Sequence, residues 1–151
     1  MSVGIVINSI KEEEFKFSDK NLESLDSKLL SIGFHLKFKV DVKGSFFSVT
    51  LTILYNYGND DSQIELLKFT TLTKFKVKGL KKLVHFEEGN DEEFQIPDAL
   101  MITFLGTAIS SARGMLTYKL SGTILSDYYL PLIDVEDLLK EYETSPNSDL
   151  E

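Results

Sequence analysis

Between residues 34 and 43 apolar and polar side chains alternate without a break. Phe34, Leu36, Phe38, Val40 and Val42 take the even positions, and His35, Lys37, Lys39, Asp41 and Lys43 take the odd ones. A period of two predicts a strand with one dry face and one wet face. Residues 45–57, SFFSVTLTILYNY, continue in the same manner and are rich in β-branched and aromatic residues. GNDD at 58–61 reads as a tight turn, and 62–80 as another long strand or as two joined by a bulge. Residues 3–17 alternate more loosely and read as one strand or two broken ones. At 19–32, Leu22, Leu25, Leu29 and Ile32 stand near helical spacing, which fits a short helix or an irregular crossover. Strands in series with short turns predict an antiparallel meander. No helical pattern separates them, which speaks against a parallel sheet.

The pattern changes at IPDALM. Pro97 suits a first helical turn, where a missing N–H costs nothing, and the helix is predicted from about Pro97 to Leu120 with Gly122 as its stop. Asp134 can cap a second helix, with Asp137 in its first turn and Leu138, Leu139 and Tyr142 on its apolar side. Strands first and helices after make an α+β fold: an antiparallel sheet of about four strands with helices on one face. Residues 1–143 read as a single domain and 144–151 as a disordered acidic tail.

The connection between the helices is the anomaly. GTILSDYYLPLIDVEDLL, residues 122–139, carries Ile124, Leu125, Tyr128, Tyr129, Leu130, Leu132 and Ile133. A solvated connection is expected to be polar, so this arm either covers another surface or offers one. The long helix raises a related question. Gly106, Ser110 and Gly114 stand four apart and fall in one stripe, widened by Thr103, Thr107 and Ser111. Met101, Leu105, Ala108, Ala112 and Met115 form a neighbouring apolar stripe. Two usable faces point to two neighbours, the helix's own sheet and something else. The small stripe would let a second helix approach closely, or it fits a tight intramolecular core. Glycine inside a helix costs about 1 kcal/mol relative to alanine, so two of them call for a packing reason.

Composition narrows the functional classes. The 151 residues contain no cysteine, which fits a reducing compartment and predicts a cytoplasmic protein without disulfides. The first residues have no basic leader before their apolar run and meet Glu12, Glu13 and Glu14, unlike a secretory signal. The longest uncharged apolar stretch, Ala99 to Ala112, is too short to cross a bilayer, so no membrane insertion is expected. A net charge of −8 and a single arginine, Arg113, argue against nucleic acid as a partner. The run KFKVKGLKK places Lys74, Lys76, Lys78, Lys81 and Lys82 close together. It reads as a solvated face guarding a sheet edge, or as a site for an acidic partner. The acidic run with Glu87, Glu88, Asp91, Glu92 and Glu93 reads as a solvated loop.

Catalytic chemistry finds no support. His35 and His85 are isolated and have no cysteine to join them, so no metal is expected. There is no Gly-x-Ser-x-Gly turn and no glycine-rich phosphate loop. GNDD and GNDEE lack the ligand spacing of a calcium loop. No enzyme and no cofactor are predicted.

The stretch 107–139, TAISSARGMLTYKLSGTILSDYYLPLIDVEDLL, resembles the SecB export-chaperone family and its SecB-like relatives. The matching features are Ala112-Arg113 in a long helix, the Gly122-Thr123 stop, an apolar arm with Pro131, and a last helix opening at Asp134. The resemblance covers nearly the whole chain in order of elements and is most specific in the last third. It implies a four-stranded antiparallel sheet with two helices, assembled as a homotetramer, a dimer of dimers through the long helices. Gly106, Ser110, Arg113 and Gly114 would lie at that interface, with Arg113 pairing with a carboxylate. It implies an ATP-independent holdase for unfolded client proteins in protein export and translocation. Clients would lie against Leu36, Phe38, Val40, Val42, Tyr128, Leu130, Ile133, Leu138 and Tyr142. In the export family the sheet docks the SecA motor through acidic residues, yet Lys68 stands where an acid is expected. SecB-like relatives that guard antitoxins need no such patch. Outside that resemblance, a carrier with closed pockets for small apolar ligands and a plain scaffold remain the competing classes.

Overall fold

A computed structural model describes residues 4–87 and 90–144, without the side-chain surroundings of residues 87, 90–93, 143 and 144. Four strands, β1 (Ile5–Phe17), β2 (Leu30–Asp41), β3 (Phe46–Tyr57) and β4 (Ile64–Val77), form an antiparallel sheet in the order β1-β4-β3-β2. The meander β2-β3-β4 is as the alternation predicts. β1 pairs with β4, so the sheet closes as a Greek key whose long connection comes first. β1 is one strand carrying two bulges, at Asn8 and Glu13. Each bulge shifts the phase of the alternation by one residue, which is why its pattern looks loose in the sequence. β4 is likewise one strand, bulged at Leu66.

The first connection is a crossover and not a regular helix. The backbone N–H of Lys20 donates to Ser18 Oγ and that of Asn21 to Asp19 Oδ1, and Asp26 caps a single 3-10 turn at Ser27–Leu29. Short polar side chains bond the nearby backbone and compete with helix formation. Leu22 and Leu25 still pack against the core.

After β4 come a single helical turn, α1 (Leu80–Leu83), and a hairpin of β5 (His85–Glu87) and β6 (Asn90–Gln95). Of the acidic run expected as a solvated loop, Glu87, Asp91, Glu92 and Glu93 therefore stand on strands, and Glu88 lies outside the described residues. Phe86 and Phe94 meet edge to face across it at 6.5 Å, and Phe94 also meets Phe47 at 6.2 Å. These aromatic partners hold the segment in register. Then follow α2 (Asp98–Lys119) and α3 (Val135–Thr144). Pro97 stands just before α2, and Gly122 beyond it takes φ +80, the left-handed conformation that ends helices. Asp134 Oδ1 accepts from the N–H of Asp137 and caps α3. Thr144 closes α3, so the expected tail begins inside the helix; residues 145–151 lie outside the described residues.

The core sits on one face of the sheet. Phe47, Val49, Leu51, Ile53 and Tyr55, alternate residues of β3, have no exposed surface. Leu67, Phe69, Phe75 and Val77 of β4 are as deeply buried. α2 lies over these two strands and buries Met101, Phe104, Leu105, Ala108, Ile109, Ala112 and Leu116. The Phe104 ring stacks on Phe47 at 4.5 Å and tilts against Phe75 at 4.8 Å. By length and composition α2 is apolar enough to span a bilayer, which the shorter Ala99–Ala112 window did not show, but its apolar stripe is spent on this sheet.

Candidate functional site

The arm between α2 and α3 begins as two successive turns. Ser126 N–H donates to the Thr123 carbonyl and Tyr128 N–H to the Leu125 carbonyl, while Thr123 Oγ1 donates to the Leu120 carbonyl. From Tyr128 onward no secondary structure satisfies the arm's carbonyls, so side chains from the body do. Tyr55 Oη donates to the Tyr128 carbonyl at 2.8 Å. Arg113 donates from Nε to the Leu130 carbonyl at 3.1 Å and from Nη2 to the Pro131 carbonyl at 2.8 Å. Tyr128 Oη reaches the Leu25 carbonyl in the crossover at 3.4 Å. The arm is thus fixed to α2, β3 and the first connection at once.

This arrangement sorts the residues singled out in the sequence. Leu36 and Leu130 are 6% and 4% exposed and belong to the core. Their expected role as an open surface does not hold in this arrangement, because β2 turns Leu36 under the helices and Arg113 draws the Leu130 backbone inward. Phe38, Val40, Tyr128, Ile133, Leu138 and Tyr142 are half-buried and pack against the core from its margin. Val42, beyond the end of β2, is also half-buried. Phe38 and Tyr142 meet edge to face at 5.0 Å, which joins β2 to α3 directly. The structure therefore brings β2, the arm and α3 into one apolar margin.

Two apolar arm residues that were not among the expected client contacts are the most open. Tyr129 is 61% exposed and Leu132 is 94% exposed. Tyr129 follows from period two, since an extended segment that turns Tyr128 and Leu130 inward turns the residue between them outward. Leu132 is freed by Pro131, whose carbonyl faces Arg113. Tyr118 on α2 and Val6, Ile7 and Ile10 on β1 are also exposed. Ile7 and Ile10 pair with Phe75 and Thr73 on the helix side of the sheet, but α2 leans over β3 and β4 and leaves them open.

The small-residue stripe of α2 divides. Gly106 lies beside α3, where a Cβ would sit 4.0 Å from Val135 Cγ2, an ordinary contact, so packing within the chain does not require glycine there. Ser110 and Gly114 are exposed, and a Cβ at Gly114 would meet nothing within 4 Å. Arg113 binds two arm carbonyls, and among the described residues it makes no ion pair with the carboxylate expected of it, its donors being taken by arm carbonyls that have no ladder partner. Burial pushes the Tyr55 hydroxyl up to about 12.

Among the described residues no group of three or more His, Asp or Glu could hold a metal. The cleft between the arm and α2, lined by Tyr55, Leu116, Leu125 and Tyr128, has a cavity volume of only about 10 Å3, room for about one water. A small-molecule site usually needs roughly 300–1,000 Å3.

No protein-family model matches this chain, and no curated protein matches it. Among solved structures, it is similar to the Mycobacterium tuberculosis Rv1957 SecB-like chaperone, determined in complex with a ChAD peptide from the Rv1956 HigA1 antitoxin. The TM-score is 0.53 at 14% identity, over 86% of this chain and 90% of that one. A protein of unknown function from Streptococcus agalactiae matches at a TM-score of 0.33 and 9% identity, over 89% of this chain and 100% of that one, too weakly to carry an argument. The fold is SecB-like: an antiparallel four-stranded sheet followed by helices.

Replacing Arg113 by Gln removes the donors of two charge-assisted hydrogen bonds, worth about 1.5–3 kcal/mol when made to a charged group. Hydrogen exchange in residues 128–134 is expected to accelerate while β3 stays protected; equal protection throughout would show that the arm is held by other contacts. Tyr55 gives a pH signature. Its folded pKa is raised above the ordinary value near 10, so below pH 10 both states are neutral and it contributes no pH dependence. Above pH 10 the unfolded state ionises first, and stability falls as pH rises towards 12. Urea unfolding across this range is expected to show that decline, and Tyr55→Phe to remove its share of it.

Proposed function

We propose that this protein is an ATP-independent chaperone that holds non-native polypeptide segments against the apolar margin of β2, the arm and α3. The observation that carries this reading is that margin: Phe38, Tyr128, Ile133, Leu138 and Tyr142 half-open, with Tyr129 and Leu132 exposed, on a SecB-like fold. An unfolded client carries no fixed shape, so it is bound through the hydrophobic effect, at roughly 25 cal/mol per Å2 buried. Association costs several kcal/mol or more, and a client that reaches several such margins in one assembly gains from effective concentration. Assembly as a homotetramer and a cytoplasmic, non-enzymatic role belong to the same reading. The shallow cleft under the arm speaks against a carrier of small apolar ligands.

Two receivers compete. Hand-over to the SecA motor in protein export is the first, and Lys68 on the sheet does not suit the acidic docking that this requires. Guarding an antitoxin is the second, and the antitoxin peptide bound to the structural neighbour favours it.

The test is suppression of aggregation of a slowly refolding protein, without nucleotide. Tyr129→Ser with Leu132→Ser changes exposed side chains, so unfolding stability should move by no more than about 0.5 kcal/mol, while protection drops. Undiminished protection by this folded variant would sink the arm as a client surface. Gly114 tests the assembly. In a monomer Gly114→Ala adds a methyl in open space and should stabilise the helix by about 0.5–1 kcal/mol. At a close helix contact the bulkier Gly114→Leu should instead shift the mass measured by light scattering towards dimers. A wild-type monomer at micromolar concentration would rule the assembly out.

A further inference from the structure

The face of the sheet turned away from the helices carries an unexpected charge distribution. Strand register places Val6, Lys76, Phe46 and Asp41 in one row across it, Ser9, Lys74, Ser48 and Lys39 in the next, and Lys11, Leu72, Thr50 and Lys37 in the third. A further row holds Glu14, Thr70, Thr52 and His35, and beyond it Lys16 and Lys68 lie side by side. Glu14 is taken up by Lys16 at 3.0 Å and Lys68 at 3.5 Å, and the Lys16 ammonium beside it holds its carboxyl below the usual value. Asp41 accepts from the Gly44 backbone in the hairpin. Lys11, Lys37, Lys39, Lys74 and Lys76 make no ion pair among the described residues.

Edge protection can account for Lys11, Lys37 and Lys39, which stand on the edge strands β1 and β2, but not for the other two. β4 lies inside the sheet, between β1 and β3, so Lys74 and Lys76 guard no edge. This corrects the reading of the lysine run as an edge guard. Both ammonium groups sit over the Phe46 ring, at 4.2 and 4.6 Å from its centroid. Gathering like charges on one face of a sheet destabilises it. It is the more unusual in a chain of net charge −8, whose acids outnumber its bases 24 to 16. The floor between the lysines is hydroxyl-rich, with Ser48, Thr50, Thr52 and Thr70, and Thr52 bonds Thr70 at 3.0 Å.

We propose that this face docks a short acidic polypeptide segment of a partner protein. Strands about 4.8 Å apart put Lys11 and Lys37 roughly 14 Å apart, about the reach of four extended residues. The patch thus matches a short acidic segment. A long polyanion would run on into the acidic remainder of the surface. The face has no arginine for bidentate phosphate contacts, and Phe46 is covered by ammonium groups, which leaves His35, in a different row, without a second open ring beside it to form a stacking platform for bases. The surface lies opposite the client margin, so two partners could be held at once.

The probe is a fluorescent peptide of about eight glutamates, compared with a thymidine oligonucleotide of about the same length, titrated by anisotropy at about 50 and 200 mM salt. The peptide is expected to bind, more weakly at the higher salt, and more tightly than the oligonucleotide. Lys37→Gln, Lys39→Gln, Lys74→Gln and Lys76→Gln together should weaken it at least tenfold, with aggregation suppression intact. Lys20→Gln, Lys28→Gln, Lys81→Gln and Lys140→Gln remove the same charge from exposed positions elsewhere and should weaken it less than threefold. Equal losses from the two sets, tighter binding of the oligonucleotide, or a face variant that changes the protein's own mass in solution would each overturn the proposal.

Discussion

The contact on which this fold depends is the one between Phe104 of α2 and the rings of Phe47 and Phe75 beneath it. A four-stranded antiparallel sheet with one wholly apolar face cannot stand uncovered in water. α2 supplies the cover for the two middle strands, where Phe47, Val49, Leu51, Ile53 and Tyr55 of β3 are lost from solvent. Its small residues let it lie close: Ala108 and Ala112 are fully buried against the sheet. Beneath the same helix Thr71 and Thr73 keep buried hydroxyls without partners among the described residues. Such groups oppose folding by about 1–3 kcal/mol each, which the surrounding apolar burial has to exceed.

One helix is narrower than the sheet, and this geometry has consequences on both sides. Towards β2 the uncovered margin is filled by the arm and α3, and filled incompletely, so that apolar side chains remain half-open there. Towards β1 the cover is partial: Lys119 of α2 pairs with Glu12 and lies over the Phe15 ring, while Ile7 and Ile10 stay exposed on the helix side. Arg113 is central to the first solution. The arm contributes carbonyls without a ladder to receive them, and a guanidinium, with several donors in a fixed fork, satisfies two of them in succession. An apolar segment can then lie in extended form on the body without burying unmet backbone groups.

The opposite face of the sheet obeys a different rule. It is wet, so its composition is free of packing demands and records charge. Lysines accumulate there while the rest of the chain carries the acidic excess. The two faces of one sheet thus differ in chemistry, apolar at the margin of the helices and ionic on the open side.

How far the sequence reaches differs from element to element. The alternation at 34–42, the β-branched run at 45–57 and the Pro97-to-Gly122 interval fixed the strands and the long helix, because each element's period is local and its end signals lie within a few residues. The α+β class and the helices on one face follow from the order of those elements. Three things depended on contacts far apart in the chain. The hairpin at 85–95 forms because Phe94 finds Phe47, which no local pattern announces. Leu130 is core while Leu132 is open because of where Arg113 grips the backbone, and a side chain's reach across 17 residues is not written in hydrophobicity. Strand order put Lys74 and Lys76 in the interior of the sheet and aligned them with Lys37 and Lys39, which stand some thirty-five residues away in sequence. By itself the sequence determined which residues are dry and which are wet along each element. Only the tertiary structure decided which dry residues meet and which stay open, because that depends on the width of a helix laid across a wider sheet.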